Sequence, residues 1–451
     1  MRAAVIGAGL SGLSAAFGLL KEARKRGFGL ELRVFEKKDR AGGTVSSRRE
    51  GGYLLESGPN GFLDSKPSTL ELTGELGLSG ELVSAAAPSA RRYIYTGGKL
   101  RPVPARPQEF LAGGLVSPAG KLRMALEFFV RARRDYGDES VASFVRRRLG
   151  NEALEKLIGP MVSGIYAGDP EALSIMAAFP RMRQLEREYG SLLAAMARIG
   201  RGGGPPGKLT SFAGGMERLV TALEAALPSG IEKNAPVSSL RRTGARWELA
   251  SAGGTWEADA VVFAVPAYDL KVLFPPLAGL CGKIGYAPIN VFYSGFGAAG
   301  TAGTPDGFGF LATRRAGLRA LGAVFSSSLF PGRAPAGRRL VTVMSGGAMD
   351  PGAADRPEAE VAADSGKALE AALGIKAAPE FTRLARHRAA IPQYPVGFPA
   401  EREAAERTLA ARKGLFLAGN AFYGVGVNDC TKRGAEAAAL AAEYLAGRAG
   451  A

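Results

Sequence analysis

The stretch Ala3-Ala4-Val5-Ile6-Gly7-Ala8-Gly9-Leu10-Ser11-Gly12 decides the fold. Its first four residues predict a short buried strand, and Leu10–Arg26 has the apolar spacing of a helix. The glycines between them fit the pattern G-x-G-x-x-G, in which the chain turns tightly and its backbone approaches a pyrophosphate at the helix N-terminus. We therefore predict a strand-turn-helix that binds a dinucleotide through Gly7, Ala8, Gly9, Leu10, Ser11 and Gly12.

The apolar run 3–20 also has the shape of a signal peptide or a membrane anchor. Its glycines stand at the spacing of a nucleotide loop, and Ser11 and Ser14 interrupt it, so we expect it to remain in the folded protein. No other segment is long and apolar enough to span a bilayer. Any membrane contact is therefore expected to be peripheral.

The predicted second strand, Glu31–Phe35, is followed by an acid, Glu36. A carboxylate here can accept hydrogen bonds from both ribose hydroxyls of an AMP half and would repel a ribose phosphate, which argues against NADP. The stretch Glu36-Lys37-Lys38-Asp39-Arg40-Ala41-Gly42-Gly43-Thr44 then fits the pattern E-x-x-x-R-x-G-G of flavoproteins that hold FAD as glutathione reductase does. This pattern favours FAD over NAD and adds Glu36, Lys37, Arg40, Gly43 and Thr44 to the predicted cofactor contacts.

The far end of the sequence holds a second set of nucleotide-binding signals. A predicted strand at Gly414–Ala418 ends in Gly419-Asn420, which we expect beside the ribityl and phosphate oxygens. Gly424-Val425-Gly426-Val427-Asn428-Asp429 then leads into a final helix, Thr431–Ala446, whose first N–H groups could face the flavin N1/O2 edge. An ordinary Asx-capped loop is the alternative. One domain is thus expected to form from distant segments.

The region between these ends divides in two. Residues 107–200 predict a basic helical region, closed by a flexible Gly/Pro-rich break at Gly202–Gly207. Within it, Lys121–Arg134 predicts an amphipathic helix with Leu122, Leu126 and Phe129 near one face. Residues 286–345 carry short apolar runs split by Gly and Pro, which is typical of an antiparallel sheet.

The composition excludes several classes of enzyme. One histidine, His387, and two distant cysteines, Cys281 and Cys430, do not supply a Ser/His or Cys/His catalytic pair or a Cys/His metal site. A bound cofactor is therefore expected to carry the chemistry, and the few cysteines suit a reducing compartment. The net charge of +16 favours an anionic partner, although no nucleic-acid-binding motif accompanies it.

Taken together, the motifs resemble those of the protoporphyrinogen oxidase family over nearly the whole chain. The stretches that carry the resemblance most specifically are Ser163-Gly164-Ile165-Tyr166-Ala167-Gly168-Asp169-Pro170, Ile391-Pro392-Gln393-Tyr394, Gly424–Cys430, Gly58-Pro59-Asn60-Gly61-Phe62-Leu63 and Arg92-Tyr93-Ile94-Tyr95. Two stretches depart from the family pattern. His387-Arg388-Ala389-Ala390 stands where an aromatic-rich segment is common, and Gly397-Phe398 where Gly-His is common.

The resemblance implies an α/β protein of three parts. These are a Rossmann-like, glutathione-reductase-type FAD domain (1–85, 208–270 and 412–451), a substrate domain on an antiparallel sheet (86–106, 181–207 and 271–411), and a helical membrane-contacting insert (107–180). It also implies that Gly58, Pro59, Asn60, Gly61, Val237, Val425, Gly426 and Val427 contact FAD. Arg92 would pair with a substrate propionate, and Gly168 would leave room for the macrocycle. No side chain is assigned a catalytic role, because the flavin takes the hydride.

The implied activity is the oxidation of protoporphyrinogen IX to protoporphyrin IX in haem biosynthesis, through successive flavin cycles with O2 as acceptor and H2O2 as product. Coproporphyrinogen III oxidation is the near alternative, and a flavin amine oxidase or a non-catalytic flavin protein is more distant. The resemblance further implies a cytoplasmic protein on the inner face of the cell membrane that hands its product to the next haem-pathway enzyme. In the insert, Arg131, Arg133, Arg134 and Arg146-Arg147-Arg148 would rest on anionic lipid or else form a solvated face.

Overall fold

The computed structural model describes residues 1–133, 135, 137–199 and 207–449. Arg134 and residues 202–206, which form most of the predicted Gly/Pro-rich break, lie outside the described residues. The strands are β1 (Arg2–Ile6), β2 (Glu31–Phe35), β3 (Ser47–Glu50), β4 (Tyr53–Glu56), β5 (Phe62–Leu63), β6 (Leu82–Ser84), β7 (Arg92–Thr96), β8 (Lys99–Pro102), β9 (Leu209–Phe212), β10 (Ser239–Thr243), β11 (Arg246–Ser251), β12 (Gly254–Ala258), β13 (Ala260–Phe263), β14 (Tyr286–Gly297), β15 (Gly309–Ala312), β16 (Ala320–Val324), β17 (Arg338–Gly346), β18 (Phe381–Pro392) and β19 (Leu415–Leu417).

The α-helices alternate with these strands and also form most of the region between β8 and β9. They are α1 (Leu10–Arg26), α2 (Pro67–Glu75), α3 (Pro107–Ala112), α4 (Pro118–Ala125), α5 (Val141–Arg148), α6 (Asn151–Ala153), α7 (Gly159–Tyr166), α8 (Ile175–Ala178), α9 (Pro180–Tyr189), α10 (Leu192–Ile199), α11 (Glu217–Ala225), α12 (Ala267–Leu273), α13 (Ala278–Lys283), α14 (Ser326–Leu329), α15 (Glu358–Leu373), α16 (Phe398–Ala410), α17 (Asn420–Tyr423) and α18 (Val427–Ala449).

A four-stranded parallel sheet in the order β19-β13-β1-β2 gathers strands from both ends of the chain. Helices α1 and α18 pack together beside it at close range. A methyl group added at Gly18 would lie 2.8 Å from the Ala438 Cβ, and one at Gly434 would lie 2.5 Å from the Ser11 carbonyl oxygen. The predicted α/β fold with a nucleotide domain built from distant segments is confirmed.

A larger sheet of seven strands, in the order β18-β14-β17-β16-β15-β7-β8, stands on the other side of the molecule. Its neighbours are antiparallel except for the parallel pair β15 and β7. The antiparallel sheet predicted within 286–345 is present as β14 to β17, and β18 and the hairpin β7-β8 extend it.

The predicted helix Lys121–Arg134 is wrong beyond its first part. Helix α4 ends at Ala125, a 3-10 turn follows at Leu126–Phe129, and residues 130–133 are irregular. The cause is Glu127, whose fully buried carboxylate accepts hydrogen bonds from the Ser191 hydroxyl at 2.6 Å and from the first backbone N–H groups of α10 at 3.0 and 3.1 Å. Glu127 therefore caps α10, which is distant in sequence, and α4 ends before Glu127 so that its carboxylate can reach α10.

Three arginines of the insert form ion pairs within the protein. Arg148 is fully buried and pairs with Glu127 and Glu186, so a lipid contact for Arg148 is wrong. Arg147 pairs with Glu186 at 2.6 Å, and Arg146 pairs with Glu171. Glu186 and Ser191 lie in α9 and after it, so residues predicted to belong to the substrate domain pack on the insert.

Across the described part of the chain, no helix is both long and apolar enough to cross a bilayer.

Candidate active site

The parallel sheet, the seven-stranded sheet and the insert enclose one continuous cavity of about 1720 Å³. One end is bordered by the glycine motif and Glu36, and we call it the dinucleotide end. The other end is bordered by β7, β15, β16 and residues 157–167 of the insert, and we call it the substrate chamber. Ligand cavities usually have volumes of roughly 300–1000 Å³, so this one has room for a dinucleotide and a second molecule.

The three glycines of the first motif have different structural roles. Gly7 has φ of 100° and a Cβ there would lie 2.7 Å from the Ala264 carbonyl oxygen, while a Cβ at Gly12 would lie 1.9 Å from the carbonyl oxygen of Gly7. Both are therefore required by the protein's own packing. Gly9, at the start of α1, would meet nothing within 4 Å. Its open side faces the cavity and leaves space for a pyrophosphate at the helix N-terminus.

Glu36 is buried at the tip of β2 and is fixed by two backbone donors. Its carboxylate accepts hydrogen bonds from the N–H of Ala8 and of Lys38, each at 2.9 Å. An ionised carboxylate has about four lone-pair sites, so acceptor capacity remains for ribose hydroxyls. Lys37 also borders the cavity, but its ammonium group pairs with Asp269 at 2.5 Å.

The second glycine loop lies directly on the first. The Gly42 N–H donates to the Ala8 carbonyl oxygen at 2.8 Å, and a Cβ at Gly43 would lie 3.3 Å from the Cα of Gly9. Arg40 holds this loop closed, because its guanidinium donates to the carbonyl oxygens of Ala41, Gly43 and Val45. Arg40 therefore shapes the loop that would cover a pyrophosphate, while still bordering the cavity.

Most of the predicted cofactor residues border the cavity. They are Gly7, Gly9, Leu10, Ser11, Glu36, Lys37, Arg40, Gly43, Thr44, Gly58, Pro59, Asn60, Val237, Gly419, Asn420, Val425 and Val427. Four do not border it: Ala8, Gly12, Gly61 and Gly426. Ala8 anchors Glu36, a Cβ at Gly61 would lie 2.4 Å from the Thr210 carbonyl oxygen, and the Gly426 N–H donates to Asp429 at 3.2 Å. These four residues lie behind the cavity wall and pack against or hydrogen-bond to the residues that form it.

Tyr394 links the seven-stranded sheet to the last part of the site. Its hydroxyl donates to the carbonyl oxygen of Asn420 and accepts a hydrogen bond from the Gly424 N–H at 3.1 Å. The ring is buried and stacks on Phe398, with centroids 4.7 Å apart. Phe398 thus supports the segment 420–424 through Tyr394, and it does not itself border the cavity.

Gly168 lies beside Gln393 and Leu173. It does not border the cavity, and a Cβ there would lie 2.6 Å from the Gln393 Oε1 and 2.6 Å from a methyl group of Leu173. The Gln393 amide in turn donates to the Tyr166 carbonyl oxygen at 2.8 Å. The missing side chain makes room for Gln393, and the role of Gly168 beside the macrocycle stays a prediction.

Arg92 borders the substrate chamber, as its predicted role requires. Its guanidinium lies over the Phe308 ring, 5.3 Å from the centroid, and its side chain is exposed. It forms no ion pair with any residue that the structure describes. A free cation on an aromatic ring at the edge of a chamber is well placed to pair with a ligand carboxylate.

His387 contacts Ser57, which the sequence did not predict. Its Nε2 lies 2.7 Å from the Ser57 carbonyl oxygen, which joins β18 to the turn that carries Gly58, Pro59 and Asn60. Burial lowers the pKa of His387, the hydrogen bond to Ser57 raises it, and the neighbouring cations Lys38 and Arg40 lower it further, so that the net shift is downwards. The ring is therefore a neutral donor at neutral pH that fixes a wall of the dinucleotide end.

We expect the burial of His387 to make stability depend on pH. A folded-state pKa below the unfolded value means that the unfolded chain binds more protons, so stability is lost as the pH falls through the ordinary His range, near about 6.5. His387→Gln should flatten the part of the stability profile between about pH 5.5 and 7.5. Urea unfolding across that range measures it. Arg383→Gln, an exposed position on the same strand, should leave the slope unchanged.

The nested glycine loops, the anchored acid and the two-part cavity define an FAD-dependent oxidoreductase. The chain belongs to the flavin containing amine oxidoreductase family, which it matches over residues 10–442. It is 31% identical to coproporphyrinogen III oxidase of Bacillus subtilis (strain 168), over 98% of both chains. It is 34% identical to the chloroplastic protoporphyrinogen oxidase of Oryza sativa subsp. japonica, over 98% of this chain and 88% of the relative.

Solved structures agree with this assignment. A protein of Exiguobacterium sp. 255-15 that is provisionally named a protoporphyrinogen oxidase superposes with a TM-score of 0.85 at 25% identity, over 99% of both chains. Cyclohexylamine oxidase from Brevibacterium oxydans IH-35A shares the fold, with a TM-score of 0.73 at 18% identity over 98% of this chain and 99% of that one. The predicted FAD cofactor and oxidoreductase class are confirmed.

Proposed function

We propose that the protein oxidises a porphyrinogen to a porphyrin in haem biosynthesis. The observation that carries the proposal is the substrate chamber, which is apolar and has the free cation Arg92 at its edge. Such a chamber suits a broad, apolar tetrapyrrole whose carboxylates reach its rim. The relatives named for porphyrinogen oxidation support the same reading.

An amine substrate fits the chamber less well. The carboxylates that border the cavity, Glu36 and Asp269, lie at the dinucleotide end, and Asp269 is paired with Lys37. A cationic amine would therefore meet Arg92 without a described acid to balance its charge. This argues against the amine oxidase alternative that the fold alone would allow.

The chain's own residues would orient the substrate and exclude water from it. When bound, FAD supplies the hydride acceptor. Gly9, Glu36 and the loop held by Arg40 would seat the dinucleotide, and the segment ordered by Tyr394 would face the ring system. Arg92 would hold a propionate by a charge-assisted hydrogen bond. Positioning of this kind, with a cofactor doing the redox chemistry, needs no acid-base pair.

The test is to mix the purified yellow protein anaerobically with protoporphyrinogen, coproporphyrinogen or common amines. We expect a porphyrinogen to bleach the flavin absorbance, and porphyrin fluorescence to grow when air is admitted. Bleaching by an amine alone would contradict the proposal.

O2 is the proposed acceptor, so H2O2 should accumulate in step with porphyrin. If porphyrin forms without O2 and without release of H2O2, O2 is not the electron acceptor.

We also propose that the insert contacts a membrane surface through exposed apolar side chains. Leu122, Phe128 and Phe129 are 63%, 60% and 77% exposed, and Leu111 and Leu126 of the insert are also exposed. Phe128 and Phe129 belong to the 3-10 turn Leu126–Phe129. This turn is anchored to the protein, because the side chain of Glu127 within it is buried. Apolar groups held out from a folded surface in this way favour insertion into a lipid interface.

We expect Phe129→Glu to reduce binding to liposomes strongly. Each apolar side chain moved from water into lipid contributes about 1.5–3 kcal/mol, so loss of Phe129 should weaken partitioning by roughly 10-fold or more. Leu440→Glu, which changes an exposed leucine on α18, is the matched control and should bind as the parent does. Sedimentation with neutral and with anionic vesicles measures both. Equal binding by the two variants would contradict the proposed surface.

A further inference from the structure

We propose that Arg101 is a second carboxylate-binding residue, which takes one of two neighbouring propionates of the tetrapyrrole while Arg92 takes the other. The inference rests on the proposed function and adds a residue to its substrate site. It concerns the edge of the macrocycle that carries two neighbouring propionates, and protoporphyrinogen and coproporphyrinogen have this edge in common. A role for Arg101 therefore does not depend on which of the two is the substrate.

Arg101 lies on the face of the seven-stranded sheet that borders the substrate chamber. It belongs to β8 and pairs with Ile94 of β7, and Ile94 pairs in turn with Leu311 of β15. Residues that are paired across neighbouring strands point to the same face of a sheet. Because Ile94 and Leu311 both border the cavity, the side chain of Arg101 leaves β8 on the chamber side.

Arg101 stands at the rim of the chamber. It is half-buried and does not itself border the cavity, whereas Val103, two residues further along the chain, does. One terminal nitrogen of its guanidinium reaches the insert at Gly114, where it lies 3.3 Å from the position of an added Cβ. The guanidinium thus extends from the sheet to the insert, next to the apolar cluster that contains Ile94 and Leu115. Carboxylates at the edge of a bound macrocycle would meet it there.

Arg92 and Arg101 are diagonal neighbours on this face of the sheet. The N–H of Val103 donates to the Arg92 carbonyl oxygen at 2.8 Å, and Arg101 is paired with Ile94. Diagonal neighbours in an antiparallel pair lie roughly 7–8 Å apart. The guanidinium of Arg92 leans over Phe308, which precedes β15, while that of Arg101 leans towards the insert. The two cations diverge, and this arrangement suits two carboxylates on neighbouring rings better than one shared carboxylate.

No acid in the described part of the chain neutralises Arg101. It forms no ion pair and donates no side-chain hydrogen bond within the residues that the structure describes. Like charges that face each other on adjacent strands are unfavourable, so an anion that binds both Arg92 and Arg101 relieves their repulsion. A ligand with two neighbouring carboxylates would do so and would gain a charge-assisted hydrogen bond at each cation.

The cations at the opposite edge of the sheet are too far away to share this task. Arg386, His387 and Arg388 belong to β18, which is five strand steps from β7. Five steps of about 4.8 Å separate the two strands by roughly 24 Å. Neighbouring propionates of one macrocycle stand much closer together than that. The second propionate of an edge held by Arg92 therefore falls to Arg101.

The experiment uses protoporphyrin as the probe, because its only carboxylates are two neighbouring propionates. Binding of protoporphyrin, its monomethyl ester and its dimethyl ester to the FAD-loaded protein is measured by fluorescence in a neutral detergent. For the parent, we expect the dicarboxylate to bind about 10-fold more tightly than the monoester. For Arg101→Gln, these two should bind equally, because one cation needs only one carboxylate. Binding of the dimethyl ester should not change, and a purely structural role for Arg101 would not spare it.

Lys99→Gln is the matched control for Arg101→Gln. Lys99 is exposed on the same strand, two residues further from the chamber, so its loss removes a cation from the same hairpin. The parent ratio of dicarboxylate to monoester binding should persist in Lys99→Gln, and also in Arg101→Lys, which keeps the charge. Equal binding of the two ligands by the parent, or an undiminished ratio in Arg101→Gln, would overturn the inference. If Arg101→Gln does not fold, the parent ratio decides.

Kinetics and vesicle binding separate this inference from its neighbours. We expect KM for a porphyrinogen to rise by about 10-fold in Arg101→Gln, with the FAD content intact. If the parent oxidises neither porphyrinogen, the proposed function fails, while the ester series still tests Arg101. Arg101 also lies near the exposed Leu111 of the insert in sequence, where a lipid phosphate is the rival ligand. Loss of binding to anionic vesicles by Arg101→Gln, with the ester ratio unchanged, would refute the pairing with propionate.

Discussion

Gly9→Val is expected to give a folded protein that is colourless. Apart from the chain neighbours of Gly9, no atom of the described residues lies within 4 Å of a Cβ at this position, and the backbone there has a φ of -68°, which any residue can adopt. The added side chain instead fills the space left for a pyrophosphate. An overlap costing about 3 kcal/mol would weaken FAD binding by more than about 100-fold. The flavin-to-protein absorbance ratio of the purified variant measures this.

The control for Gly9→Val separates cofactor loss from misfolding. Gly366→Val makes the same change on the exposed face of α15, where the Cβ also meets nothing within 4 Å, and it should retain FAD. The FAD-free forms of parent and Gly9→Val should unfold at similar urea concentrations, since valine at a helix N-cap costs only about 1 kcal/mol. A yellow Gly9→Val protein would contradict the assignment of this space to the pyrophosphate.

Arg92→Ala is expected to raise KM for a porphyrinogen by about 10- to 100-fold and to leave the FAD content intact. A hydrogen bond to a charged group contributes about 1.5–3 kcal/mol, and Arg92 has no described ion-pair partner that would compete for it. Because Arg92 lies in the substrate chamber, far from Glu36 and Gly9, the dinucleotide end should not respond to the change.

Arg91→Ala provides the comparison for Arg92→Ala. Arg91 is the exposed neighbour of Arg92 and does not border the cavity, so its loss removes a cation from the same surface without removing one from the chamber. Steady-state kinetics should therefore give the parent KM. If both variants raised KM equally, the effect would come from the general field of the surface, and Arg92 would lose its place in the site.

The parts of the fold that could be predicted are those whose signals are local. The helix Leu10–Arg26 and the strand Glu31–Phe35 occur with the predicted bounds, because hydrophobic periodicity and glycine spacing act over a few residues. The loops of the dinucleotide end were predictable for the same reason. Each is a short motif whose backbone shape is specified by its own glycines.

The parts that could not be predicted depend on contacts between distant residues. Glu127 ends a helix early because it binds Ser191 and Arg148. The residues next to Glu127 in the sequence do not indicate those partners. His387 meets Ser57 although 330 residues separate them. The place of Gly168 beside Gln393 became clear only when β18 and α7 were brought together. Apolar spacing in 121–134 predicted a packed face, but it does not reveal which apolar residues remain exposed.

The close packing of α1 against α18 constrains how the protein acquires its cofactor in the cell. As the chain leaves the ribosome, its first βαβ unit emerges long before α18, whose small residues complete the cover over α1. A nascent chain therefore cannot hold FAD firmly until synthesis has passed Gly434 and Ala438. Flavin binding should therefore need α18, and messages cut short before α18 should yield polypeptides that never turn yellow.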